Sequence, residues 1–365
     1  MQTSEHEHIH VRIHSPYPLS DTQVQSYKDS GFVRLPGVFD AQTLAHYTPT
    51  MSLEVAKADK APLEEDSDYQ KAFTQIMNIW VESKPVKEFV LGQKLGRIAS
   101  ELMGVDGVRI YHDQALNKEP GGGYTPWHCD GYYWPLQSDK VLTAWVPLQA
   151  VPKEMGPLQF AARSHTHDLG RDLGIGWQAH KTIDAAVKQG GFDIISEPFQ
   201  LGEVSFHSGW TFHQAAGNGT DTPREVFTII FMDKDMIMAE PINHNQRLDH
   251  HRWLPGVMPG KDCRAHRHTP DDFCRQYRAV VLLQLSCLYG LDICPPLMDD
   301  SGSLDSALIT VHYSVLQQVK ARLHQDFENN FQDKGVRYRA LSHSFPPGDA
   351  YAQHLLLQCS ALTVV

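Results

Sequence analysis

The chain has no run of apolar residues long enough to cross a membrane. Its longest apolar-leaning stretch, Ala279 to Cys294, is interrupted by Gln284, Gly290 and Asp292. Cysteine is sparse: the six, at 129, 263, 274, 287, 294 and 359, form no C-x-x-C pair. That spacing excludes the usual zinc-ribbon and dithiol motifs, and at this length a disulfide framework is not expected. Positive charge is outweighed, with 32 Lys and Arg against 43 Asp and Glu for a net charge of -11. A general surface for nucleic acid or anionic membrane is therefore excluded. Met1 to His14 is polar and His-rich and lacks the apolar core of a signal peptide. No internal repeat is found. The expectation is a soluble cytoplasmic protein. What is present is ordinary globular composition, 41% hydrophobic and 10% aromatic over 365 residues. That is enough for one large domain, or one domain with an appendage.

Along the chain, residues 1–19 read as a flexible terminus, with His6, His8, His10 and His14 on a flexible or edge-strand segment. Ser20-Asp21 opens a helix, and Gly31 to Gly37 reads as a strand ending in a turn. Asp40 caps a helix that carries Leu44 past Pro49 to Val55, and an acidic loop follows from Ala58 to Gln70. Val86, Phe89, Val90, Leu95, Ile98 and Leu102 fall at helical spacing and predict one helix ending at Gly104.

The pattern then changes to strands, at Val108–Leu116, Val141–Leu148, Leu158–Ala161, Glu203–His207 and Arg224–Met232. Strands without intervening helices favour an antiparallel sandwich or barrel over a parallel sheet. The polar, partly helical insertion at 166–200 has the length of a lid over a site. Beyond Gly260, helical periodicity at Asp271–Leu288 and Ser303–Phe327 suggests an extension over 261–365, helical or poorly ordered.

The chemistry concentrates in Tyr124-Thr125-Pro126-Trp127-His128-Cys129-Asp130-Gly131. Side chains two apart on a strand or its end project the same way, so His128 and Asp130 present an imidazole and a carboxylate to one point. A distant third ligand completes the 2-His-1-carboxylate arrangement that leaves open positions on non-haem Fe(II). His213 is the favoured third ligand. His207 is the rival, but lies against the Ser208-Gly209 turn, where an accessory or packing role is expected. Arg224 follows His213 by 11 residues at the start of a strand. If the two strands were adjacent and antiparallel, its guanidinium would lie near His213 and hold a dicarboxylate in a bidentate bond. The aromatic run Tyr132, Tyr133 and Trp134 is the candidate substrate wall.

Several blocks, in order, resemble the phytanoyl-CoA dioxygenase family: Tyr111 to Lys118, Pro126 to Asp130, Thr143 to Leu148, Gly156-Pro157-Leu158, and His207 through Arg224. The resemblance spans residues 20–260 and implies a mainly β fold with flanking helices, a double-stranded β-helix (a cupin-like jelly roll). It also implies Fe(II) as metal, 2-oxoglutarate and O2 as cosubstrates, and contact of Arg224 with the distal carboxylate of 2-oxoglutarate. By block matching it places Gln114 and Trp145 against the cosubstrate. Cys129 departs from the family, where many members carry Gln, and its side chain should point away from the metal. The tail from Lys261 does not resemble the family's usual ending.

The implied activity is hydroxylation of a C–H bond of a small-molecule or acyl-CoA-type substrate, with oxidative decarboxylation of 2-oxoglutarate to succinate and CO2. Two other readings fit the residues: a metal- or 2-oxoglutarate-binding jelly roll without turnover, and a cupin-type metalloenzyme that needs no 2-oxoglutarate.

Overall fold

The computed structural model describes residues 9–57, 74–168 and 170–265. His6 and His8, the acidic loop at 58–70 and the two periodic stretches of the tail lie outside the described residues. The chain divides into two compact units, Met1–Leu291 and Asp292–Val365, and every described residue belongs to the first. Among the described residues no helix is long and apolar enough to cross a membrane.

Among the described residues, ten strands form two antiparallel sheets: β1 (Phe32–Leu35), β2 (Thr74–Met77), β3 (Val108–Lys118), β4 (Thr125–His128), β5 (Val141–Pro147), β6 (Leu158–Ala161), β7 (Ile194–Ile195), β8 (Val204–Ser208), β9 (His213–Ala215) and β10 (Arg224–Asp233). The larger sheet runs β1-β8-β5-β10-β3-β2 and the smaller β4-β9-β6-β7. This is the expected jelly roll with flanking helices.

Period two decides what each face of the larger sheet carries. Leu142, Ala144 and Val146 of β5 and Phe227, Ile229 and Phe231 of β10 face the helices Ala41–Lys57, Lys84–Val90 and Gln93–Met103, where Leu95, Ile98 and Leu102 meet them in one core. The alternate residues, Thr143 and Trp145 of β5 and Arg224, Val226 and Thr228 of β10, belong to the opposite face. Both faces of β5 are buried, which is why its sequence is an unbroken apolar run with a single Thr. In β3, Ile230 pairs with His112 but Phe231 with Ile110, so Tyr111 is a bulged extra residue. The bulge shifts the alternation by one, and so turns both Tyr111 and His112 from the helix face.

Three expectations are corrected. Residues 9–14 are helical, with Ile9 and Ile13 buried in the main core, so the terminus before residue 19 is neither wholly flexible nor an edge strand. The predicted helix from Val86 is two helices, Lys84–Val90 and Gln93–Met103, broken at Leu91-Gly92. Only glycine fits at the break: a Cβ on Gly92 would meet the Phe89 carbonyl at 2.9 Å and the Ile13 carbonyl at 3.0 Å. The jelly roll also continues past 260, because Ile237 bridges to Asp262 and Cys263 is buried in the second core.

Asp113 fixes the short helix Ile79–Glu82 onto β3. Its two carboxylate oxygens accept the backbone N–H groups of Ile79 and Trp80, each at 2.8 Å, in a fully buried position. Asp113→Ala leaves both donors unsatisfied. Urea denaturation should show a loss of about 2–4 kcal/mol, the cost of two orphaned buried N–H groups.

Candidate metal centre

β4 and β9 are paired so that His128 lies directly opposite His213. The rings sit 4.1 Å apart, centroid to centroid. His128 Nδ1 donates to the Pro126 carbonyl at 2.7 Å and His213 Nδ1 to the Thr211 carbonyl at 2.9 Å. A carbonyl only accepts, so each Nδ1 carries the proton and each Nε2 presents a bare lone pair. Asp130 follows at the start of the 3-10 turn Asp130–Tyr133, with Oδ1 3.7 Å from His128 Nε2 and 3.6 Å from His213 Nε2. One ligand atom from each of the three residues falls within 4.8 Å of the others. Burial pushes His128 down to about 3, helped by His213, and His213 down to about 4. Both imidazoles are therefore neutral at neutral pH. Burial works against ionisation of Asp130, yet His213, His207 and His128 overcome it and hold its carboxyl far below the usual range. Two neutral imidazoles and one carboxylate converging on a point are the donor set that suits Fe(II).

His207 is not part of that cluster. Its Nε2 lies 3.3 Å from Asp130 Oδ2, and the Thr143 hydroxyl donates to the same oxygen at 2.9 Å. Cys129, between the two ligand positions, is fully buried with Trp127, Ile183, Val187 and Phe212, and burial pushes its thiol up to about 12.

The expected adjacency of the His213 and Arg224 strands is not found. β9 pairs with β4 and β6, whereas β10 pairs with β3 and β5, so the loop between them passes from one sheet to the other. Arg224 is opposite Lys118 of β3 instead. It is 3% exposed; one terminal nitrogen donates to the Gly156 carbonyl, Nε has no partner, and Cζ lies 5.7 Å from the centre of the Trp145 ring.

Lys118 is fully buried and donates to Thr125 Oγ1 at 3.1 Å and to the Ala216 carbonyl at 2.8 Å. Burial, then Arg224, brings its ammonium down to about 6. Lys118, in the Tyr111 to Lys118 block, was given no role from the sequence, where nothing marks a lysine at a strand end as buried. Among the described residues neither cation has a carboxylate partner. Crowded against Arg224, Lys118 is driven towards its neutral form in the ligand-free protein; an anion placed between the two would favour its charged form, and a dicarboxylate would supply one. The residues present thus fit both the metal and 2-oxoglutarate.

The shift of Lys118 has a measurable consequence. A lysine whose folded pKa falls from 10.5 to about 6 binds fewer protons than the unfolded chain between those values. Stability of the ligand-free protein should therefore rise with pH across that window and fall as pH drops towards 6. Melting temperatures measured from pH 6 to 9 should show the slope in wild type, and Lys118→Met should flatten it.

Trp145 is 2% exposed and 4.7 Å from Phe199, so it is a core residue that also backs Arg224. The Gln114 side-chain carbonyl accepts from Gln75 at 2.6 Å, which occupies part of the amide expected to meet the cosubstrate. Trp134 is buried at 6% exposure, edge-on to Tyr111 and against Gly209, in a core on which the half-buried Tyr133 also packs, so it is a core residue rather than an open wall. Tyr133 accepts from the Ile175 N–H at 2.8 Å, and the Tyr132 carbonyl accepts from Gln246 at 3.1 Å. The expected lid divides accordingly. Its helix, Trp177–Gly190, packs through Ile183 and Val187 on Trp127 and Cys129, residues that alternate with the ligands, and the loop around Gly174-Ile175 touches the turn after Asp130.

The phytanoyl-CoA dioxygenase (PhyH) family model matches residues 27–226. No curated protein sequence matches the chain. Among solved structures, the chain is similar to the non-heme alpha ketoglutarate dependent carbocyclase SnoK from nogalamycin biosynthesis, with a TM-score of 0.56 and 23% identity over 68% of this chain and 96% of that one. The epimerase SnoN in complex with Fe3+, alpha ketoglutarate and nogalamycin RO gives 0.56 and 22% over 66% and 93%. EctD from S. alaskensis with 2-oxoglutarate and 5-hydroxyectoine gives 0.53 and 19% over 68% and 88%. At these identities the likeness speaks for a common fold.

Proposed function

Because the chain belongs to the phytanoyl-CoA dioxygenase family, an Fe(II)- and 2-oxoglutarate-dependent oxygenase family, we propose that it hydroxylates a C–H bond of a small-molecule or acyl-type substrate. One observation carries the reading to this chain's own residues. A convergent His128, Asp130 and His213 cluster shares its fold with a buried Arg224 and Lys118 pair that, among the described residues, has no carboxylate partner. A cupin-type enzyme with no use for 2-oxoglutarate leaves that pair without a purpose.

Iron with 2-oxoglutarate and O2 supplies the oxidising chemistry and yields succinate and CO2. The protein's own work is placement. His128, Asp130 and His213 would hold the metal through Nε2, Oδ1 and Nε2. Arg224 and Lys118 would receive the distal carboxylate of the cosubstrate, with Trp145 beneath the guanidinium. Phe160, 6.5 Å from His213 between ring centres, gives that imidazole a buried apolar neighbour. Tyr132 and Tyr133 would border the substrate, on the turn that begins at Asp130. The catalytic unit is the jelly roll of residues 20–260 with its short continuation to Cys263 and the helical residues 9–14 packed on its core.

Anaerobic titration of the Fe(II)-loaded protein with 2-oxoglutarate tests this. A saturable, weak visible metal-to-ligand charge-transfer band is expected. A folded, iron-loaded protein that gives none would sink the proposal.

A further inference from the structure

Beneath the proposed metal, one register row crosses the larger sheet: His112 of β3, Ile230 of β10, Thr143 of β5, His207 of β8 and Phe32 of β1. Two of its members converge on a single atom. Asp130 Oδ2 accepts the Thr143 hydroxyl at 2.9 Å and faces His207 Nε2 at 3.3 Å, while Oδ1 faces both ligand imidazoles. A carboxylate accepts only, so His207 carries its proton on Nε2.

The other side of the His207 ring is bare. Nδ1 has no hydrogen-bond partner at 1% exposure, and the ring's neighbours are Phe160 at 5.4 Å and His213 at 4.5 Å. A buried imidazole serving only the packing would be better replaced by an apolar ring, because the orphaned nitrogen costs stability. The polar contact that His207 makes is the one to Asp130.

We propose that Thr143 and His207 are positioning residues that hold Asp130 to a one-oxygen mode of coordination. With Oδ2 tethered by two donors from two neighbouring strands, the carboxylate is held from rotating to offer both oxygens. A metal with two imidazoles and one carboxylate oxygen keeps three of six positions open. Two suffice for a chelating 2-oxo acid and one remains. A carboxylate bound through both oxygens would take that last position. This inference rests on the iron reading above.

Co(II) is the probe, because its visible absorption reports coordination number without turnover. Metal-free wild type, Thr143→Val, Thr143→Ser, His207→Leu and His207→Gln are titrated with Co(II), and then with 2-oxoglutarate, after melting curves confirm that each is folded. Thr143→Val and His207→Leu should each weaken Co(II) binding about 10- to 100-fold, the usual effect of losing a partner of a ligand. Their Co(II) spectra should change in intensity. Thr143→Ser and His207→Gln restore a donor and should return both readouts to near wild type. The near-isosteric Thr143→Val arm carries the test if His207→Leu does not fold. Wild-type affinity and spectrum in the valine and leucine variants would overturn the tether, as would failure of the serine and glutamine variants to rescue. A wild type that binds no Co(II) at all overturns the iron reading, and the tether with it.

Discussion

Asp130→Ala should lower Fe(II) affinity by at least about 100-fold, since loss of a ligand exceeds the 10- to 100-fold typical of losing a ligand's partner. The argument is one of charge as much as of geometry. Burial holds His128 and His213 neutral at neutral pH, so Asp130 is the anionic member of the cluster. Without it, the doubly charged ion faces only two uncharged donors. The change also removes the acceptor shared by Thr143 and His207, leaving two buried donors unpaired. Asp130→Asn keeps the shape and a carbonyl oxygen, so its loss of affinity isolates the charge. Anaerobic metal titration of the metal-free variants reads the effect directly, and succinate formation should fall with bound iron.

Arg224→Ala should raise the dissociation constant for 2-oxoglutarate by about 30- to 3000-fold, the equivalent of the 2–5 kcal/mol lost when one partner of a buried charge pair is truncated. Iron affinity should stay near wild type, because Arg224 starts a strand of the other sheet and touches none of the three ligand residues. That separation is the value of the measurement. Lys118 sits opposite and remains after the substitution, so some attraction for the distal carboxylate persists and the loss should fall short of abolition. Arg224→Lys should recover only part of it, since an ammonium lacks the planar fork that grips a carboxylate with two hydrogen bonds. Titration of the Fe(II)-loaded variants by the charge-transfer band, with iron content measured in parallel, separates the two affinities.

The ligand pair was legible because the information is local: two residues on one strand end fix a common direction whatever the rest of the chain does. His213 was legible for the same reason, with a strand signal and a turn before it. Arg224 was singled out on an expected strand adjacency that the topology does not have. Period two says which face a side chain takes and is silent on which sheet its strand joins, and the loop from Ala216 to Pro223 passes between sheets. Lys118 was overlooked because a lysine reads as solvent-exposed until its partner strand is known. The bulge at Tyr111 and the break at Gly92 were invisible for a related cause. Each involves a contact across tens of residues, with Ile230 in one case and Ile13 in the other. Helix and strand cores were set by periodicity, whereas in the helical residues 9–14 the His-rich composition masked the two buried positions Ile9 and Ile13.

An enzyme that handles dioxygen risks oxidising itself, and the residue nearest in sequence to its metal ligands is a thiol. Cys129 escapes by the same alternation that aligns His128 with Asp130. It is turned to the opposite face, sealed beneath the helix Trp177–Gly190, and kept protonated by a pKa of about 12. The thiolate is the form that reacts with oxidants, so burial beneath that helix and a raised pKa both oppose damage at this site. Alternation along one strand thus builds the metal site and shelters the thiol beside it.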